Sequence, residues 1–104
     1  MKKRPIQRRK PTRNKRVRQA WFVYMLECRG GKIYTGITPN VVVRFEKHLK
    51  GKGAAYTRIN PPQRVLASKR CGSMSKAAKT ESRLKKLRRP DKLIWARTYC
   101  WTGN

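Results

Sequence analysis

A chain of 104 residues with 29 Lys and Arg against four acids has room for one domain and carries a formal net charge of +25. Self-repulsion on that scale opposes compaction unless an anionic partner offsets it. Nucleic acid leads as that partner, because neutralised phosphates release counterions, and no apolar run approaches the roughly 18 residues that span a bilayer.

The cysteines narrow the field further. Cys28, Cys71 and Cys100 stand far apart with no CxxC pair, and His48 is the one histidine. A zinc site is therefore poorly supplied. Three free thiols point to an intracellular, reducing compartment. That is the cytoplasm, or the mitochondrion if the basic N-terminus is a targeting segment.

Residues 1–20, "MKKRPIQRRKPTRNKRVRQA", hold ten Lys or Arg and no acid. They have charge but no apolar h-region, so they are no secretory signal. Ile6 and Val17 are too little apolar surface to fold alone. The segment reads as an intrinsically disordered, nucleic-acid-binding arm. Without it, 19 basic residues still face the same four acids, so the remainder carries +15 of its own.

"WFVYMLE" (Trp21–Glu27) is apolar, aromatic and β-branched, as a buried strand requires. "RGGK" is a Gly-rich turn, and "KIYTGIT" (Lys32–Thr38) is a second strand completing a hairpin. Thr38 then reads as an N-cap with Pro39 at the first helical position. That helix is predicted from Pro39 to about Lys50, with Val42, Phe45 and Leu49 as its apolar face. "GKG" (Gly51–Gly53) ends it. "GAAYTRINPP" reads as a loop and "QRVLASKR" (Gln63–Arg70) as a third strand. Ser73 caps a second helix, with Ala77, Thr80, Leu84 and Leu87 along one face. Pro90 breaks it, and Pro90–Trp101 has room for a further short helix. The order ββαβα(α) is an α+β domain: a small, mainly antiparallel three-stranded sheet flanked by helices, with a basic N-terminal extension.

Several of these stretches fall in a known order. "FVYML" contains Tyr24; "YTG" (Tyr34-Thr35-Gly36) follows across the Gly turn. "RFEKH" then places Arg44 and His48 four residues apart. "GKGAAYTR" comes next, and "TESRLKKL" carries Glu81. From Trp21 to Leu87 the chain resembles the GIY-YIG nuclease domain, most closely its small stand-alone bacterial branch. The resemblance implies a domain over residues 21–89, between the arm at 1–20 and a short C-terminal helix or tail at 90–104. It implies Tyr24, Tyr34, Arg44, His48 and Glu81 as catalytic residues, and Glu81 as the ligand of one Mg²⁺.

The same residues have physical readings of their own. Two tyrosines on paired strands can converge, and a phenol can orient or deprotonate a water; each is equally an ordinary core tyrosine. Arg44 and His48 share a helix face. Arg44 can hold a phosphate bidentately, and His48 can position water or a phosphate oxygen. Glu81 can hold Mg²⁺ with waters and a substrate phosphate, or simply pair with Lys85 at i+4. Gly36 lets a helix or a substrate backbone approach closely, or marks a strand end. Lys52, Arg58, Arg64, Arg70 and Arg83 are candidate phosphate contacts of low sequence specificity, or solvated surface charges. Tyr24, Tyr34, Gly36, Arg44, His48 and Glu81 are expected to line one cleft.

Two functions follow. The first is a Mg²⁺-dependent endonuclease acting on structured, branched or damaged nucleic acid, DNA or RNA. The alternative is a structural RNA-binding protein of a ribosome, possibly organellar, that reuses the fold; the charge argues for it.

Overall fold

The computed structural model describes residues 19–103. The expected arm lies outside the described residues up to residue 18. β1 (Trp21–Cys28) runs into a short 3-10 turn, Arg29–Gly31, and β2 (Ile33–Thr38) returns antiparallel. Gly30 and Gly31 both hold positive φ there, which only glycine adopts without strain. β3 (Pro62–Cys71) pairs antiparallel with the other edge of β1, giving the sheet order β2-β1-β3. The central strand is the most apolar of the three. Val23, Met25 and Leu26 are fully enclosed, each stabilising the fold by about 1.5–3 kcal/mol relative to exposure.

Alternation along β1 sends its side chains to two layers. Val23 and Met25 pack with Ala67 against Ala77 and Leu84 of α3 (Met74–Lys85) and Ala96 of α4 (Arg89–Thr98). Tyr24, Leu26 and Cys28 face the opposite way, onto Val41 and Phe45 of α1 (Val41–Leu49). So α1 and α3 cover opposite faces of the sheet. Among the described residues no helix is long and apolar enough to cross a membrane, and all three cysteines are free thiols.

Four local expectations are corrected. The cap of α1 is Asn40, not Thr38: its side chain accepts the Val43 N–H at 3.1 Å. Thr38 Oγ1 instead accepts the Asn40 N–H at 3.1 Å, bracing the turn at Pro39. The buried face of α1 is also rotated. It runs through Val41, Phe45 and His48, while Val42 and Leu49 are 46% and 54% exposed. The stretch after the "GKG" turn is not all loop, because α2 (Ala55–Ile59) forms there. Leu87 falls past the end of α3 and is exposed.

Ser73 does cap α3, accepting the Lys76 N–H. Pro90 sits in the first turn of α4 rather than merely ending α3, where its missing N–H costs nothing. Trp95 and Tyr99 pack on the α3-side core. The Trp101 N–H donates to Leu66 O at 2.9 Å. Residues 90–101 are thus built into the domain.

Candidate active site

β1 and β2 register so that Tyr24 stands opposite Gly36, with Tyr34 two residues earlier on the same face. This explains the glycine. A Cβ at Gly36 would lie 2.7 Å from the Tyr24 hydroxyl and 3.0 Å from Cε2 of Tyr34. Gly36 is buried under the two phenols, not open to a substrate backbone.

His48 enters from the last turn of α1. Its Nε2 lies 2.8 Å from the Tyr24 hydroxyl, and its ring meets the edge of Tyr34 at 5.0 Å between centroids. Beyond it the chain turns through Gly51, at positive φ, and doubles back. Gly53 then passes so close that a Cβ there would stand 2.2 Å from His48 Nδ1. α2 follows and presents Thr57, whose Oγ1 is 2.7 Å from the same Nδ1.

The hydrogen bonds fix the proton positions. The single Thr57 hydroxyl proton is donated to Ala54 O at 2.9 Å. Nδ1–H of His48 therefore donates to Thr57 Oγ1, and Nε2 is left to accept the Tyr24 O–H. Burial, with the Arg44 guanidinium adding to it, lowers the His48 pKa from 6.5 to about 4. The imidazole is neutral near pH 7. Burial, then Tyr34, pushes the Tyr24 phenol up, and Arg44 beside it pulls the other way. Tyr24 keeps its proton at rest.

Tyr24 and His48 are each 1% exposed, so they form an inner layer. Tyr34 is the outer member. It faces a cleft of about 240 Å³ at the β2 edge, with Tyr56, Thr35, Lys85 and Lys92. Its ring lies 6.0 Å from that of Tyr56, and Thr35 Oγ1 is buried without a hydrogen-bond partner. Arg44 is half-buried and opens onto a second cleft beside Lys47 and Asn40.

Glu81 is placed differently. It belongs to α3, across the sheet from Arg44, and its Oε2 pairs with Lys85 Nζ at 3.3 Å. Its link to the tyrosines runs round the β2 edge, because Lys85 lines the cleft with Tyr34. The six residues expected in one cleft therefore make a buried cluster of Tyr24, Gly36 and His48, flanked by Tyr34 and Arg44, with Glu81 in the other layer.

The donor set limits what metal fits. Among the described residues no group of three or more His, Cys, Asp or Glu could hold an ion, and both His48 nitrogens are already engaged. A tetrahedral zinc site does not fit. A hard cation held by one carboxylate, waters and substrate phosphates does. The Glu81–Lys85 pair it would displace is partly exposed and worth little.

The candidate phosphate contacts scatter. Arg64 Nε is committed to Glu27 Oε1 at 2.7 Å. Arg58 reaches back to Gly53 O at 3.4 Å, and Lys52 is exposed beside it. Arg70 and Arg83 face a common cleft away from the tyrosines.

With this geometry in place, the comparisons decide the lineage. The family described as the GIY-YIG catalytic domain matches residues 20–94. The chain belongs to the GIY-YIG nuclease family. It is 53% identical over 68 residues to a UPF0213 protein of Cupriavidus necator, covering 65% of this chain and 74% of that one. A UPF0213 protein of Xanthomonas axonopodis pv. citri is 47% identical over 75 residues, 72% of this chain and 74% of that one. The solution NMR structure of a UPF0213 protein from Bacillus halodurans is 39% identical, with a TM-score of 0.49, covering 76% of this chain and 84% of that one.

The GIY-YIG match reaches into α4, past the boundary expected at residue 89. Thr57, Gly53 and Tyr56 are the neighbours of the GIY-YIG cluster that sequence reasoning passed over as loop. The two glycines after α1 were the available signal. They imply a tight return that sets the next few residues beside the last helical turn.

Proposed function

We propose that this protein is a Mg²⁺-dependent endonuclease that hydrolyses phosphodiester bonds in structured, branched or damaged nucleic acid. The observation that supports it most is the chain from Tyr24 through His48 and Thr57 to the Ala54 carbonyl. It is a directed proton path in a +25 protein, with an arginine beside it.

Tyr34 and Arg44, the outer groups, hold the water and the scissile phosphate. The water attacks phosphorus and passes a proton to the Tyr24 oxygen. Tyr24 passes its own proton to Nε2 of His48, and the bond to the leaving oxygen breaks; that oxygen leaves with the electron pair and takes a proton from solvent, and His48 later returns its proton to solvent. Tyr24 ends neutral, so its raised pKa is no obstacle. His48 is the net acceptor. A pKa of about 4 makes it a weak base in the free protein. Negative charge building on the phosphate favours the imidazolium, and the Nδ1–H, Thr57 and Ala54 chain stabilises it. Arg44 offsets charge on the phosphate oxygens. Glu81 would hold the Mg²⁺, which supplies polarisation of the phosphate and stabilisation of the leaving oxygen.

The test is cleavage of branched DNA, nicked DNA and structured RNA by the purified chain. Mg²⁺-dependent product that EDTA abolishes and Arg44→Ala reduces at least tenfold is the expected result. No cleavage above background on any of the three overturns the reading.

A further inference from the structure

We propose that the cleft between the end of β3 and α3 is a second nucleic-acid contact site, separate from the catalytic cluster, that holds the phosphates flanking the cleaved bond. It encloses about 360 Å³. Lys69 and Arg70 converge on it from β3, and Lys76, Lys79 and Arg83 from α3. No acidic side chain among the described residues lines it. The ion pairs of Glu27 and Glu81 use Arg64 and Lys85 instead. Five like charges are thus gathered without a counter-charge, an arrangement that repels itself unless an anion enters.

The cations are also held in place. Lys76, Lys79 and Arg83 follow helical spacing along one flank of α3. Lys76 lies over Gly72, where a Cβ would stand 3.6 Å from its Nζ. Lys69 stands 5.2 Å over the ring of Tyr99.

α3 separates this cleft from the chemistry. Its buried ridge is Ala77 and Leu84. The cations flank that ridge toward β3; Glu81 and Lys85 flank it on the other side, where Lys85 meets Tyr34 of β2. With β1 between them, the β2 and β3 sides lie about 10 Å apart, roughly three nucleotides at about 3.4 Å each. Trp21 pairs with Cys71 at the cleft wall.

The inference rests on the nuclease reading only in needing a nucleic-acid substrate. The test compares the full chain, K76Q/K79Q/R83Q and a control K50Q/K86Q/R97Q of exposed cations elsewhere. Binding to a labelled oligonucleotide, as single strand and as duplex, is titrated with salt in EDTA. The cleft variant should lose about 2 from the slope of log K against log salt on the single strand and nearly 3 on the duplex, at about 0.7 and 0.9 per contact. The control should lose under about 1. With Mg²⁺ present, KM should rise and kcat hold. K79Q alone, should the triple variant melt early, should lose about 0.7–0.9. Equal losses in the two triples, an unchanged slope, or no binding by wild type overturns the proposal. Binding without cleavage by wild type would remove the nuclease reading and leave the slopes to decide this one.

Discussion

Tyr24 and His48 lie 24 residues apart in sequence and meet hydroxyl to Nε2 at 2.8 Å inside the protein. The bond ties β1 to α1, so it is structural as well as chemical. Tyr24→Phe keeps the ring and removes the donor, leaving a buried Nε2 unsatisfied. We expect a loss of about 1–3 kcal/mol in chemical denaturation. Cleavage should fall by about 10²–10⁴-fold, the usual worth of a positioned proton-transfer group. Wild-type cleavage rates in Tyr24→Phe would remove Tyr24 from the mechanism.

Thr57 acts through His48 and not on the substrate, so it is a positioning residue. Thr57→Val keeps the shape and leaves Nδ1–H without its acceptor. Stability should drop by about 1–3 kcal/mol, and kcat should fall with KM little changed. His48 is the one histidine in the chain, so nitrogen NMR reads its tautomer without overlap. Wild type should carry the proton on Nδ1, and Thr57→Val should lose that preference. Thr57→Ser should restore both tautomer and rate; failure of that rescue would make the role one of packing alone.

A methyl group at Gly53 tests the same ring from the other side. With a Cβ 2.2 Å from Nδ1, Gly53→Ala must push the imidazole off its partners or move the backbone. Overpacking of this kind costs about 1–3 kcal/mol, and the Tyr24 bond should break with it. Thermal melting and cleavage should both suffer. Gly51→Ala is a contrasting case, because nothing lies within 4 Å of its Cβ position and only its positive φ is strained. It should lower stability with a smaller effect on rate per unit of stability lost.

Local chemistry made the sheet legible. The β-branched and aromatic run at Trp21–Glu27 and the Gly turn after it fixed the hairpin, and Ser73 marked α3. The fold brings Tyr24, Tyr34 and His48 into contact, while Arg44 opens onto a separate cleft and Glu81 sits in the other layer. What stayed hidden depended on tertiary packing. Three valines in succession at 41–43 fit several helix faces, and only contact with Tyr24 and Leu26 chooses Val41 over Val42. Thr57 sits in a five-residue helix too short to announce itself by periodicity. Its role comes from the return at Gly51. The layer holding Glu81 depends on which side of the sheet α3 packs, and helical spacing says nothing about that.

The buried imidazole also sets an acid limit on stability. The folded protein holds His48 neutral until about pH 4, whereas the unfolded chain takes up its proton near 6.5. Below about 6.5 the unfolded state therefore binds more protons, and stability falls as the pH drops toward 4. Above 6.5 both states hold the ring neutral and this contribution is constant. Urea midpoints measured from about pH 7 down to about pH 4.5 should decline in wild type. His48→Gln should start less stable and decline less over the same window. A parallel decline in both would assign the acid sensitivity to the carboxylates.

Glu81→Gln decides between metal ligand and helical ion pair. The exchange keeps the shape and removes the charge opposite Lys85. As a partly exposed i,i+4 pair it is worth only about 0.3–0.5 kcal/mol, so melting should barely move. If Glu81 holds Mg²⁺ for the reaction, cleavage should fall by orders of magnitude. More Mg²⁺ should recover part of it, because waters and substrate phosphates still offer ligands. Binding of uncleaved nucleic acid in EDTA should hold or tighten, since a negative charge has left a cationic surface. Full activity in Glu81→Gln would reduce the carboxylate to a partner of Lys85. Activity surviving both Glu81→Gln and Arg44→Ala would place the chemistry outside the cluster around Tyr24 and His48.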